Sequence, residues 1–100
     1  WIYVEDHCAG ILGISYAGDV GQKYNIGGEC EMTNLELVKM IIKMMNASED
    51  LIEFVDDRPG HDLRYAIDNA KIHKTISFQP EFSIVDGLKK TIDWYEKNRD

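Results

Sequence analysis

The segment around residues 33 to 45 constrains the fold more than any other part of the sequence. Thr33 and Glu36 form a capping-box pattern, which satisfies two backbone N–H groups at the start of a helix. An apolar stripe at helical spacing follows, and it comprises Leu35, Val38, Ile41, Ile42 and Met45. A further apolar set widens this stripe and consists of Leu37, Met40 and Met44. The pattern predicts a helix from Asn34 to about Met45 that is covered on two sides, so we expect a partner surface.

The rest of the chain predicts short strands alternating with helices. Four apolar or β-branched runs predict strands at Trp1–Val4, Lys23–Ile26, Leu51–Val55 and Tyr65–Ile67. Three further segments predict helices, from Glu5 to about Tyr16, from Asn69 to Thr75, and from a second capping box at Ser83 to about Lys97. We therefore expect an α/β fold with short, mostly parallel strands and packed helices, in one domain spanning residues 1–100.

Charge and composition exclude several classes of protein. Eleven Lys and Arg against 18 Asp and Glu give a net charge of −7, whereas nucleic-acid binding needs a basic face. No apolar run approaches the ~20 residues of a membrane-spanning helix. Cys8 and Cys30 form no zinc-ligand spacing and are expected to be free thiols in a reducing compartment, which favours a cytoplasmic location. We expect no nucleic-acid partner, no membrane partner and no metal.

The first residues are unusual for the start of a domain. The chain opens on the apolar run Trp1–Val4, with neither an initiator Met nor the basic region of a signal peptide. We therefore expect that the chain begins inside a larger fold.

The motifs of catalysis and cofactor binding are missing from the sequence. No G-x-G-x-x-G turn follows a predicted strand, and no Tyr has a Lys four residues later. The sequence also lacks G-x-S-x-G, H-E-x-x-H and P-loop motifs. We predict neither catalytic residues nor a cofactor site within these 100 residues.

The least generic stretch runs from Asp57 to Asp62. Arg58 offers a planar pair of donors that suits a phosphate, and Pro59-Gly60 favours a turn that projects Arg58 and His61 from one loop. The alternative is a surface turn in which Arg58 pairs with one of the neighbouring aspartates, Asp56, Asp57 or Asp62.

Asn34 is a second candidate binding residue because it begins the strongest predicted helix. A helix N-terminus presents unpaired N–H groups to an anion, and the Asn34 amide adds a donor and an acceptor. The alternative is that this segment only caps the helix.

Four runs of the sequence resemble, in order and spacing, the C-terminal portion of the dTDP-glucose 4,6-dehydratase family of extended short-chain dehydrogenases/reductases. They are Trp1-Ile2-Tyr3-Val4-Glu5-Asp6-His7, Tyr24-Asn25-Ile26-Gly27-Gly28, the Arg58-Pro59-Gly60-His61-Asp62 block with the residues up to Asp68, and Lys89-Lys90-Thr91-x-x-Trp94-Tyr95. The resemblance covers essentially the whole chain. The Arg-Pro-Gly-His-Asp block is its most specific part.

The resemblance implies that catalysis and nucleotide-sugar binding involve different portions of the protein, and that this chain lacks the catalytic portion. The family converts dTDP-glucose to dTDP-4-keto-6-deoxyglucose, with NAD and the catalytic residues on an N-terminal Rossmann portion. It implies that Asn34, Arg58 and His61 contact the nucleotide sugar, with Arg58 on the diphosphate. NAD then binds outside this chain, and we expect residues 1–100 alone to be inactive.

Two other interpretations stay open from the sequence. The chain could be the same part of another sugar-nucleotide epimerase, dehydratase or decarboxylase. It could instead be a non-catalytic α/β module that forms a homodimer through the apolar helix surface of Leu37, Met40 and Met44.

Overall fold

The computed structural model describes residues 1–99, which contain four α-helices and one short 3-10 helix. The helices are α1 (Val4–Ala17), α2 (Asn34–Met44), α3 (Ala70–Ile76) and α4 (Ile84–Lys97), and the 3-10 helix is Glu49–Leu51. The chain divides into two compact units. The first unit comprises residues 1–30 and 67–99 with α1, α3 and α4, and the second unit comprises Glu31–Ala66 with α2 and the 3-10 helix.

The predicted strands do not form within residues 1–99. Val4 belongs to α1 and Leu51 to the 3-10 helix, while the other residues of the four predicted strands have no regular structure. The prediction of short, mostly parallel strands is therefore not confirmed for residues 1–99. The physical reason is that a strand needs hydrogen bonds to a neighbouring backbone, and an apolar run cannot supply that neighbour by itself.

The helix predictions hold best where caps define the ends. The Thr33 hydroxyl accepts from the Glu36 N–H at 3.2 Å, and the Glu36 carboxylate accepts from the Thr33 N–H at 2.7 Å. This capping box is confirmed, and α2 begins at Asn34 as predicted. At α4 the Ser83 hydroxyl likewise accepts from the Asp86 N–H at 3.1 Å, so the cap is confirmed, but the Asp86 carboxylate accepts from the Ser83 hydroxyl rather than from its backbone and the predicted box is incomplete.

The exposed side of α2 differs from the predicted one. Leu37 is buried and both Met40 and Met44 are half-buried, whereas Leu35 and Val38 are more than a third exposed. Leu37 is therefore covered within the chain rather than offered to a partner, and the predicted dimerisation through this helix stays a prediction. Helical spacing identifies the apolar positions, but contacts with other elements decide which of them are covered.

Close packing in the first unit depends on glycines of α1. A Cβ at Gly10 would lie 3.0 Å from Cγ2 of Ile26, and one at Gly13 would lie 2.6 Å from Cδ1 of Ile76. Glycine in a helix costs about 1 kcal/mol relative to Ala. Here the missing side chains allow α3 and a loop to approach α1 closely.

Two buried polar side chains hold loops in the first unit. The Asn69 amide accepts from the Gly27 N–H and donates to the Gly27 carbonyl, each at 2.7 Å. The Asp6 carboxylate accepts from the N–H groups of Glu81 and Phe82 at 2.9 and 3.1 Å. Because both side chains are buried and fully paired, they position these loops without an unsatisfied polar group.

The described residues contain no membrane-spanning helix and two free cysteines. None of the helices in residues 1–99 has the length and apolar character that crossing a membrane requires. Cys8 is an exposed free thiol on α1, and Cys30 is a half-buried free thiol.

Candidate ligand-binding site

The loop from Asp57 to Asp62 is organised by the Asp57 carboxylate. Its Oδ1 accepts from the Arg58 backbone N–H and contacts Nδ1 of His61, each at 2.8 Å. The backbone N–H of His61 donates to the backbone carbonyl of Arg58 at 3.3 Å and closes the turn. Gly60 has a φ of +74°, a conformation that favours glycine, so the Pro-Gly pair has a direct geometric role. One carboxylate thus contacts the Arg58 backbone and the His61 ring, which belong to two of the three residues predicted to bind ligand.

Arg58 is exposed, and its guanidinium pairs with no side chain among residues 1–99. Asp57 is occupied by the Arg58 backbone and by His61. The Asp62 carboxylate accepts a hydrogen bond from the Tyr65 hydroxyl, which raises the pKa of that hydroxyl. The alternative in which Arg58 pairs with Asp56, Asp57 or Asp62 is therefore not what the structure contains. The guanidinium is available for an anion.

His61 is oriented by its contact with Asp57. With the carboxylate accepting at Nδ1, the ring carries a proton there, and Nε2 remains as the second hydrogen-bonding atom. The His61 side chain is 28% exposed, so the ring is partly sheltered but still reachable. The hydrogen bond from His61 also lowers the pKa of Asp57 and favours its charged form.

Asn34 is the first residue of α2, and its side chain is not the cap. Thr33 and Glu36 cap the backbone, as described above, which leaves the exposed Asn34 amide outside that network. All three predicted binding residues lie in the second unit. Within residues 1–99 no direct hydrogen bond joins Asn34 to Arg58 or His61.

An ion pair that sequence reasoning missed connects the segments that carry these residues. Arg64 Nε donates to Glu31 Oε1, and a second guanidinium nitrogen donates to Glu31 Oε2 at 2.8 Å. The hydrogen bond from Arg64 lowers the pKa of Glu31, and the same bond raises the pKa of Arg64. The two residues are 33 positions apart, so no local spacing pattern could have indicated the pair.

The part of the chain that the structure describes contains no cluster of metal-ligating side chains. No group of three or more His, Cys, Asp or Glu side chains converges there in a way that could hold a metal ion. The loop of the second unit instead presents one unpaired guanidinium, that of Arg58, beside the His61 ring. A guanidinium suits recognition of an anionic group.

Comparison with known proteins assigns the family. The profile of the GDP-mannose 4,6 dehydratase family matches residues 1–91, and the chain belongs to this family. A dTDP-glucose 4,6-dehydratase of Streptomyces niveus is 44% identical over 99% of the chain, which spans 30% of that protein. A low-salt glycan biosynthesis protein of Haloferax volcanii is 50% identical over 95% of the chain, again across 30% of its own length.

A solved structure is also similar to this chain. The dTDP-glucose 4,6-dehydratase DesIV of Streptomyces venezuelae, crystallised with NAD and TYD bound, superposes with a TM-score of 0.92 at 40% identity. The superposition covers 99% of this chain and 31% of that one. The chain thus spans about a third of the proteins it matches, and it corresponds to their C-terminal part.

Proposed function

We propose that this chain is the nucleotide-sugar-binding part of a dTDP-glucose 4,6-dehydratase, with residues 1–100 forming its C-terminal substrate domain. The observation that carries the proposal is the exposed Arg58 guanidinium, which no side chain of residues 1–99 neutralises, beside a His61 ring held by Asp57. Relatives of this chain carry that name, and one of them holds NAD and TYD in its crystal structure.

Each binding residue has a separate role in this proposal. Arg58 binds the diphosphate through the two parallel N–H donors of its guanidinium. His61 contributes Nε2, which accepts a hydrogen bond from the ligand while the ring is neutral, because Asp57 holds the proton at Nδ1. Asn34 adds an amide donor and acceptor at the N-terminus of α2, where the helix dipole favours a negative group.

We propose that NAD binds outside residues 1–99, because no glycine-rich turn between a strand and a helix, the usual dinucleotide-binding element, forms among them. When bound elsewhere in the parent enzyme, NAD supplies hydride transfer. Residues 1–100 bind and orient the nucleotide sugar, so we propose that they catalyse no turnover by themselves.

The exposed apolar segments of the chain support an extension of this proposal. Phe54 and Val55 are 80% and 79% exposed, and Tyr65 is 64% exposed, although such side chains are costly to leave in water. We propose that these segments become parallel strands when the Rossmann portion of the parent supplies neighbouring backbone. The two free thiols support a cytoplasmic location.

The test measures dTDP binding by calorimetry to the natural polypeptide that contains this chain. Arg58→Ala removes a charge-assisted contact and should weaken binding about tenfold or more. Arg99→Ala removes an exposed arginine of the first unit and serves as the matched control, with unchanged affinity. Equal affinities of Arg58→Ala and the wild type would overturn the proposed role of Arg58.

The same preparation tests the two competing interpretations. Tighter binding of UDP- or GDP-sugars than of dTDP-sugars would assign the chain to another enzyme of the superfamily. The exposed Leu35 and Val38 on α2 favour a dimerisation module as the second candidate. Concentration-dependent dimerisation that Val38→Glu abolishes, with no heat from millimolar dTDP, would support that candidate. NAD-dependent dehydration by purified residues 1–100 would refute the proposal that they are inactive alone.

A further inference from the structure

The Glu31–Arg64 ion pair lies close in sequence to the candidate binding residues of the second unit. Glu31 precedes Asn34 by three residues, and Arg64 follows His61 by three residues. Three residues of chain span at most about 10 Å. The pair therefore joins the two segments that carry Asn34 and His61, although no direct hydrogen bond joins these two residues.

The geometry of the pair is suited to fixing a position. Both carboxylate oxygens of Glu31 are used, each by a different nitrogen of the Arg64 guanidinium. A two-point contact of this kind restricts orientation as well as distance, whereas a single contact between flexible side chains does not. The pair closes 33 residues of chain, so it opposes the conformational entropy of that whole segment.

We propose that Glu31 and Arg64 are positioning residues that set the spacing between Asn34 and the Arg58–His61 loop for the diphosphate of a nucleotide sugar. This inference rests on the proposed function. In this proposal neither Glu31 nor Arg64 contacts the ligand, and both act through the two segments that they join. Loss of the pair should therefore weaken ligand binding while leaving the fold of the first unit intact.

Another exposed ion pair in the same unit provides a matched control. Lys39 and Glu49 lie 3.7 Å apart with side chains that are 50% and 68% exposed, close to the exposure of Glu31 and Arg64. That pair joins α2 to the 3-10 helix and does not bridge the two ligand-binding segments. Arg64→Met and Lys39→Met each remove one cationic partner of an exposed pair.

The experiment measures the Kd for dTDP and the thermal unfolding of the natural polypeptide that contains this chain. Arg64→Met and Glu31→Gln should each raise the Kd about three- to fivefold, and the double variant should bind no more weakly than either single variant. Lys39→Met should bind like the wild type. The exchange of Glu31→Arg with Arg64→Glu should recover part of the lost affinity, which a general structural defect would not allow.

The outcomes separate this inference from the function on which it rests. Failure of the wild type to bind dTDP refutes the proposed function and this inference with it. Binding by the wild type with an unchanged Kd in Arg64→Met and Glu31→Gln refutes this inference alone. If Arg64→Met unfolds, Arg64→Lys replaces it, since this variant keeps the charge but loses the two-point contact. Wild-type affinity in Arg64→Lys would then overturn the positioning role.

Discussion

The interactions inside the first unit differ in kind from those inside the second unit. The first unit contains seven buried residues, which are Asp6, Gly10, Gly27, Asn69, Ile72, Phe78 and Gly87. Within residues 31–66 only Leu37 is buried. The second unit instead holds two ion pairs between exposed side chains, Glu31–Arg64 and Lys39–Glu49, together with the hydrogen bond between Asp57 and His61.

This difference indicates that the first unit contributes mainly to stability and the second unit mainly to ligand binding. Buried contacts resist salt and contribute most of the free energy of unfolding, whereas exposed ion pairs are individually weak and screened by salt. All candidate binding residues lie in the second unit. We infer that substitutions in the first unit act mainly on unfolding, and that substitutions in the second act mainly on affinity.

The largest expected effect is in the core of the first unit. Ile72 is completely buried, so Ile72→Ala should lower the free energy of unfolding by about 2–5 kcal/mol through lost burial and a cavity. Ile11→Ala is the matched control on α1, because Ile11 is 51% exposed, and it should cost well under that amount. Chemical denaturation measures both. A cost for Ile72→Ala no larger than for Ile11→Ala would contradict the inference that buried contacts stabilise the first unit.

A smaller effect is expected at the buried amide of the same unit. Asn69→Ala removes both hydrogen bonds to Gly27 and leaves its backbone groups unpaired, which should cost about 2–3 kcal/mol. Asn25→Ala changes an exposed asparagine of the same unit and should be nearly neutral. Equal denaturation midpoints for the two variants would show that the Asn69 contacts do not hold the loop.

The smallest expected effect concerns the ion pairs of the second unit and depends on pH. Because Arg64 lowers the pKa of Glu31 below its ordinary value of 4.5, the pair stabilises the folded chain above that pH. The contribution is lost as the pH falls through the lowered pKa. In Arg64→Met, carboxyl NMR should show the Glu31 midpoint moving up toward 4.5. A Glu31 midpoint that is the same in the variant and the wild type would contradict the pairing.

The candidate site could be predicted from sequence only where its chemistry is local. Arg58, Pro59, Gly60 and His61 are consecutive, so their residue types alone indicate a turn that presents a guanidinium and an imidazole. For Asp57, the residue types indicate only a pairing with the Arg58 guanidinium. The structure uses it for the His61 ring and the Arg58 backbone, because a carboxylate one residue before Arg58 reaches these atoms within one turn.

The sequence by itself determined the capped helix starts at Thr33 and Ser83, because a cap involves only residues within one turn of each other. Only the tertiary structure decided that the apolar runs form no strands within residues 1–99, that Leu37 is covered while Val38 is exposed, and that Arg64 meets Glu31. Each of these outcomes depends on groups distant in the chain, and local patterns carry no information about which distant groups meet.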